Sequence, residues 1–394
     1  MLAAVVAPTC AELVRRFRIP SVLFEILLGI AIGPQVLGWA HTDQFVSGLS
    51  TLGLSFLFFM AGYEINFAEL GGTAVRRAGL GWLITLALAL AVGGALMVTG
   101  YVVSGLLVGL CLTTTAIGTL LPMLRDRGML ESPFGRILLA SGTIGEFAPV
   151  VAVTVLLGTL SPGIEAVLLI FFVALTLAVA VAASRPQPPA FVDAVQRHLG
   201  TSTQLPVRFV LLLVTGLVVL ASSLNQEILL GAFASGLIAH LAFNDEEAAA
   251  MQPRLEAVGF GFLIPVFFIV SGMEFHVREL FSNPSILLRV PVFLVLMLLV
   301  RGLPALFVYS KILDWRRRAS LMFLQSTALP LLVVITGIGL AAHKMRPENA
   351  IALVGAAMLS VLIFPLVGFA LAGSEAGPID VTELAESDPA NDLL

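Results

Sequence analysis

The sequence predicts an all-α membrane protein of about thirteen transmembrane helices. They form an inverted-topology repeat, six helices, one linking helix and six more, with two broken crossing helices. Three observations carry this. First, 58% of the 394 residues are hydrophobic and 12% charged, with a mean hydropathy of +1.03; a soluble protein carries roughly twice that charge. Second, apolar runs bounded by charge or Gly/Pro clusters recur along the whole chain, most of them long enough to cross a bilayer core about 30 Å thick. Third, short motifs return in the same order in the second half.

The runs give spans at about 1–14, 20–39, 49–68, 75–99, 102–124, 134–160, 163–184, 207–223, 226–243, 255–275, 285–311, 318–342 and 349–372. The first is short for a crossing, so it is read as a short tilted helix or as the end of a longer one starting upstream. Met1 is followed directly by apolar residues, which is no signal-peptide pattern. The Pro-rich segment 185–206 reads as a linker between halves. The tail 373–394, acidic and without apolar pattern, reads as disordered and cytoplasmic. With the N-terminus outside, sixteen of the 21 Lys and Arg fall in odd-numbered loops, four in even-numbered loops and Arg301 inside a span. Basic residues concentrate on the cytoplasmic side, so the N-terminus is placed outside and the C-terminus inside.

The repeat is read from four matches. Glu25-Ile26-Leu27-Leu28-Gly29 returns as Glu227-Ile228-Leu229-Leu230-Gly231, an offset of 202. Phe59–Glu64 resembles Ile269–Glu274 at 210, Thr114-Thr115-Ala116 matches Ser326-Thr327-Ala328 at 212, and Pro149 matches Pro365 at 216. A shift of seven spans inverts the second half, the layout of secondary transporters with a midplane site. The domains are thus a membrane unit, 1–372, with repeat one at about 1–160, the linking helix at 163–184 and repeat two at about 207–372.

Composition excludes several classes. A net charge of −4 and a pI near 5.8 do not suit nucleic acid. Cys10 and Cys111 lie in apolar runs and read as buried thiols. The five histidines have no metal-ligand spacing, and the chain carries no P-loop, HExxH or Ser/His/Asp arrangement. The reading is a non-enzyme without cofactor.

The chemistry centres on Glu146, in the apolar run Phe134–Leu160. A carboxylate there costs at least ~2.5 kcal/mol to insert charged, so it faces protein or a water-filled cavity. Ser141, Gly142 and Gly145 let another backbone approach. Pro149 frees the carbonyl one turn earlier, that of Gly145. Thr114 and Thr115 in the fifth span, with Ser326 and Thr327 in the twelfth, sit where Pro330 predicts a break and symmetry predicts its counterpart. Ser and Thr satisfy backbone groups where membrane helices break, and paired half-helices aim dipoles and carbonyls at one site. Glu146 with these four hydroxyl residues is the expected cation and proton site. Arg301, fixed in charge, is read as a supporting charge whose partner is Glu146 or a half-helix carbonyl. Glu64 and Glu274 form an inverted pair with an access or structural role.

These residues resemble a known family. Arg18-Ile19-Pro20 leading to Glu25–Gly29 and Gly33-Pro34, Phe56–Gly62, Thr114–Gly118, and Ile264–Phe268 followed by Ser271-Gly272-Met273 are similar to segments of bacterial monovalent cation/proton antiporters. The resemblance covers roughly 1–372. It implies a core bundle of the fourth to sixth and eleventh to thirteenth spans moving against a dimerisation domain, in a homodimer of the bacterial inner membrane. Members of that family usually carry two adjacent polar residues where Gly145-Glu146 stand here. Arg301 resembles the residue of electroneutral members. The expected function is exchange of protons for Na+ or K+ by alternating access, with Glu146 holding the transported cation. A gated potassium-efflux pathway and an organic-anion symporter are the alternatives on this scaffold.

Overall fold

The computed structural model describes residues 2–13, 21–64, 72–130, 132–157, 162–183, 204–224, 226–243 and 245–373. Of the expected linker, 185–206, residues 185–203 lie outside them, as does the tail beyond Gly373, while Leu205 and Pro206 already belong to a helix. All regular structure among the described residues is helical. In chain order the helices are α1 (Leu2–Leu13), α2 (Ser21–Ile32), α3 (Gln44–Tyr63), α4 (Gly72–Val98), α5 (Gly105–Leu112), α6 (Ile117–Asp126), α7 (Pro133–Leu157), α8 (Pro162–Ala183) and α9 (Leu205–Ser223). They continue with α10 (Ile228–Ala242), α11 (Asp245–Val258), α12 (Ile264–Met273), α13 (Val277–Ser282), α14 (Pro284–Met297), α15 (Leu303–Val308), α16 (Trp315–Gln325), α17 (Pro330–Ala341) and α18 (Pro347–Ala372). Two π-helical turns, Gly259–Leu263 and Leu298–Gly302, make α11–α12 and α14–α15 continuous.

Seven helical stretches are long and apolar enough to cross a membrane, or eight if α16 and α17, bent by 42° at their break, form one span. Leu83, Phe171, Leu212, Leu288 and Phe307 are exposed on the outside, as a hydrocarbon-facing surface allows. The molecule is therefore a multi-pass membrane protein. Of the boundaries that differ from expectation, two differ most. α2 stops at Ile32, because Gly33-Pro34 cannot continue a helix. α11 begins at Asp245, ten residues before the expected span, in a polar stretch that needs no membrane to be helical.

The helices approach closely at glycines, among them Gly29, Gly62 and Gly272 of the repeat motifs. A Cβ on Gly29 would strike the Ile269 backbone, and one on Gly272 the Ile26 backbone, so α2 and α12 meet through a reciprocal pair. Gly62 and Gly236 do the same for α3 and α10, against the Phe233 and Phe59 carbonyls. Without a hydrophobic drive between helices in lipid, such backbone approach supplies the packing. Glu64 and Glu274 occupy equivalent places, each the C-cap of its helix with near-helical φ and ψ.

Candidate functional site

The site is built where two helices break. α5 ends at Leu112, and Thr113 caps it with a side-chain bond to the Leu110 carbonyl at 2.8 Å. Five residues after Leu112, α6 starts without a side-chain cap. α16 ends at Gln325 and α17 starts five residues later at Pro330, which lacks the N–H that a helix start leaves orphaned. The C-cap residues match closely: Thr113 has φ −89° and ψ −8°, Ser326 φ −87° and ψ −2°. The breaks thus correspond at an offset of 213, which pairs Thr114 with Thr327, one residue away from the sequence match, which pairs Thr114 with Ser326. They touch directly. The Ala116 N–H donates to the Thr327 carbonyl at 2.7 Å, and Thr115 Oγ1 donates to the Gln325 carbonyl at 2.6 Å. Ser360 on α18 braces the second break, accepting from the Ala328 N–H and bonding its carbonyl, both at 3.0 Å.

α7 lies along the first break. A Cβ on Gly142 would meet Ile117 Cδ1 at 2.6 Å, so the missing side chain admits the start of α6. The Gly145 carbonyl, freed by Pro149, accepts the Thr115 N–H at 3.0 Å. One turn before that proline, Glu146 is 1% exposed. Its carboxylate faces the backbone amides of Ile117 and Gly118, the first two residues of α6. A half-helix N-terminus carries a partial positive charge and unpaired donors. Among the described residues Glu146 Oε2 is buried without a hydrogen-bond partner, an open acceptor of the kind a proton or a cation satisfies.

Arg301 enters from the other side. It sits in the π-helical turn Leu298–Gly302, just before Pro304, and is 1% exposed. Nε donates to Thr115 Oγ1 at 2.8 Å, and Nη2 donates to the Ser141 carbonyl at 2.7 Å and to Ser141 Oγ at 3.3 Å. Gln325 closes the ring: Nε2 donates to the Arg301 carbonyl at 2.6 Å and Oε1 accepts from Ser141 Oγ at 2.7 Å. No ion pair joins Arg301 to Glu146 among the described residues. Neither expected partner bonds the guanidinium directly: the carbonyl it takes is that of Ser141 within the unbroken α7, and the half-helix carbonyl of Gln325 is reached only through Thr115.

The expected hydroxyls divide. Thr114 Oγ1 bonds back to the Cys111 carbonyl at 2.9 Å and Ser326 Oγ to the Met322 carbonyl at 2.7 Å. Thr115 links both breaks to Arg301. Among the described residues Thr327 Oγ1 is buried and without a hydrogen-bond partner, as are Thr119 Oγ1 and Thr143 Oγ1. Glu64 and Glu274 lie outside this cluster. Glu64 bonds Arg125 at 3.2 Å, and Arg125 also pairs with Glu256; Glu274 is exposed at the end of α12. Ser141, Gln325, Ser360 and the amides of Ile117 and Gly118 did not stand out as site residues in the sequence. The only sequence signal for Ser141 and Gln325 is a polar residue at a helix break or beside the buried acid.

A buried carboxylate on the amides of a broken membrane helix, with a second broken helix crossing it, is the arrangement of an ion-coupled membrane transporter. The chain belongs to the family described as sodium/hydrogen exchanger, transmembrane, which matches residues 1–372, a family of transporters rather than enzymes. YjbQ of Bacillus subtilis (strain 168) is 26% identical over 374 residues, 90% of this chain and 59% of YjbQ. The Na(+)/H(+)-K(+) antiporter GerN of Bacillus cereus is 28% identical over 281 residues, 65% of each chain. This chain therefore spans less than two thirds of either relative. The Na(+)/H(+) antiporter of Enterococcus hirae is 23% identical over 381 residues, covering 92% of that protein. The solved structure of the sodium proton antiporter MjNhaP1 from Methanocaldococcus jannaschii at pH 8 shares the fold, with a TM-score of 0.61 over 94% of both chains at 17% identity.

Proposed function

We propose that this chain is an electroneutral secondary antiporter exchanging one proton for one Na+ or K+ at Glu146. The observation that carries the reading is the Glu146 carboxylate, buried in a membrane helix, with half-helix amides against it and Oε2 unpartnered. Proton and cation compete for that oxygen. Either one neutralises the carboxylate, and the loaded site crosses a dry barrier that the bare anion crosses only at a cost of several kcal/mol. The unpartnered hydroxyls of Thr327, Thr119 and Thr143 are further oxygens of the kind that coordinate a hard cation. Arg301 does not titrate, so one carboxylate gives one charge exchanged for one. GerN supports K+ alongside Na+ as the cargo.

The wider reading keeps thirteen crossings in an inverted six-one-six repeat, with the N-terminus outside and the C-terminus cytoplasmic. The bundle around the two breaks alternates against the remaining helices in a homodimer. The equal break lengths and matched caps of Thr113 and Ser326 support the repeat.

The test uses proteoliposomes with an internal pH dye, to which Na+, K+ or Li+ is added with and without an imposed potential. Dye recovery insensitive to potential, and abolished in Glu146→Gln with protein still folded, is the expected outcome. Recovery that follows the potential would overturn one-for-one exchange. Full transport by Glu146→Gln would overturn the site.

A further inference from the structure

Gly145 is the residue beside the buried acid that has no side chain, and the space is occupied. A Cβ built there would collide with Arg301 Nη2 and with Thr115 Oγ1, and would lie 3.0 Å from the guanidinium carbon. The obstruction is therefore the charged head itself, held at both ends: Nε on Thr115 Oγ1 at 2.8 Å and Nη2 on the Ser141 carbonyl at 2.7 Å. Thr115 has no freedom to yield. Its N–H is on the Gly145 carbonyl at 3.0 Å and its hydroxyl donates to the Gln325 carbonyl at 2.6 Å. Two and three residues further on are Ile117 and Gly118, whose amides meet Glu146.

We infer that Gly145 and Arg301 are a matched pair: the empty side-chain volume at 145 seats the guanidinium, and Arg301 is a positioning residue that acts through Thr115 to hold the Ile117 and Gly118 amides on Glu146. The inference rests on the reading of Glu146 as the exchange carboxylate. Arg301 in this role touches neither cation nor proton. It adds a charged side-chain tie to a loop already bonded through the Thr115 and Ala116 amides, at the start of a helix that has no side-chain cap of its own. Donors that stabilise the carboxylate favour its ionised, cation-accepting form. Moving them away lets the proton compete better.

The test is a double-mutant cycle in full-length protein reconstituted in proteoliposomes, with apparent cation affinity and the pH profile of exchange as readouts. Gly145→Ala is expected to weaken apparent cation affinity about tenfold and to move the half-activation pH about one unit alkaline, the scale of one charge-assisted hydrogen bond. Arg301→Gln is expected to do the same. Gly145→Ala added to Arg301→Gln is expected to change less than Gly145→Ala alone, because the neutral, shorter side chain vacates its share of the volume and only the contact with Thr115 Oγ1 remains. Thr115→Val, which removes the link but leaves the packing, is expected to reproduce the shift. Equal, additive effects of Gly145→Ala in both backgrounds would overturn the pair. An unshifted pH profile in Thr115→Val would overturn the positioning route. Monodisperse, folded protein in each variant separates these outcomes from misfolding. Exchange by Glu146→Gln would instead bring down the underlying site.

Discussion

At the residue scale, the hydroxyls around the breaks have unequal work. Thr114 spends its hydroxyl on its own helix, at the Cys111 carbonyl, whereas Thr115 ties both breaks to Arg301. Replacing Thr114 by the near-isosteric Val removes one local bond of modest net worth. Thr114→Val is therefore expected to keep cation affinity within about twofold, against the tenfold change for Thr115→Val, as read by dye recovery across a cation titration. Equal losses would mean that both hydroxyls face the cargo. Glu146 itself was legible because a carboxylate in a long apolar run is costly unless used. Its partners were not legible, because backbone amides carry no letter. Ser141 and Gln325 are likewise the small and polar residues that membrane helices use for many local purposes.

At the scale of elements, Pro149 shows how one residue on α7 prepares another helix. By lacking an N–H it leaves the Gly145 carbonyl open, and the Thr115 N–H takes it. Pro149→Ala restores a donor within the same helix to compete for that carbonyl. A proline inside a helix costs about 3 kcal/mol, so the variant is expected to melt no lower than wild type in detergent while its exchange slows. Joint loss of melting temperature and exchange would contradict this account. The break before Pro330 could be read from the proline, and the one before Ile117 only by symmetry. The π-helical turn that aims Arg301 could not be read, because one extra residue in a turn leaves composition and periodicity almost unchanged.

At the scale of the whole molecule, α6 is a strut of about 12 Å between Ile117 and Arg125. Its N-terminus is on Glu146, and Arg125 near its other end pairs with Glu64 of the α3 cap and with Glu256 of α11. The repeat match along the sequence placed Glu64 and Glu274 as symmetric equals. Burial separates them, and burial depends on packing between helices distant in sequence. Glu64, with its side chain 5% exposed, is pushed from 4.5 to about 7 by burial, which outweighs the pull of Arg125 in the other direction. A carboxyl whose folded value is raised binds its proton more tightly when folded. Its contribution is fully present below pH 4.5 and is lost as pH rises through about 7. A shift of that size corresponds to roughly 3 kcal/mol. Melting temperatures of detergent-purified protein between pH 4 and pH 9, at buffer steps of about one unit, are therefore expected to fall for wild type relative to Glu64→Gln across that window. Arg125→Gln removes the charge that eases ionisation, so its decline is expected to continue to higher pH, with little difference from wild type below pH 4.5. Parallel curves for all three proteins would mean that Glu64 keeps its ordinary acidity, and that the end of α6 is tied to α3 by packing rather than by charge.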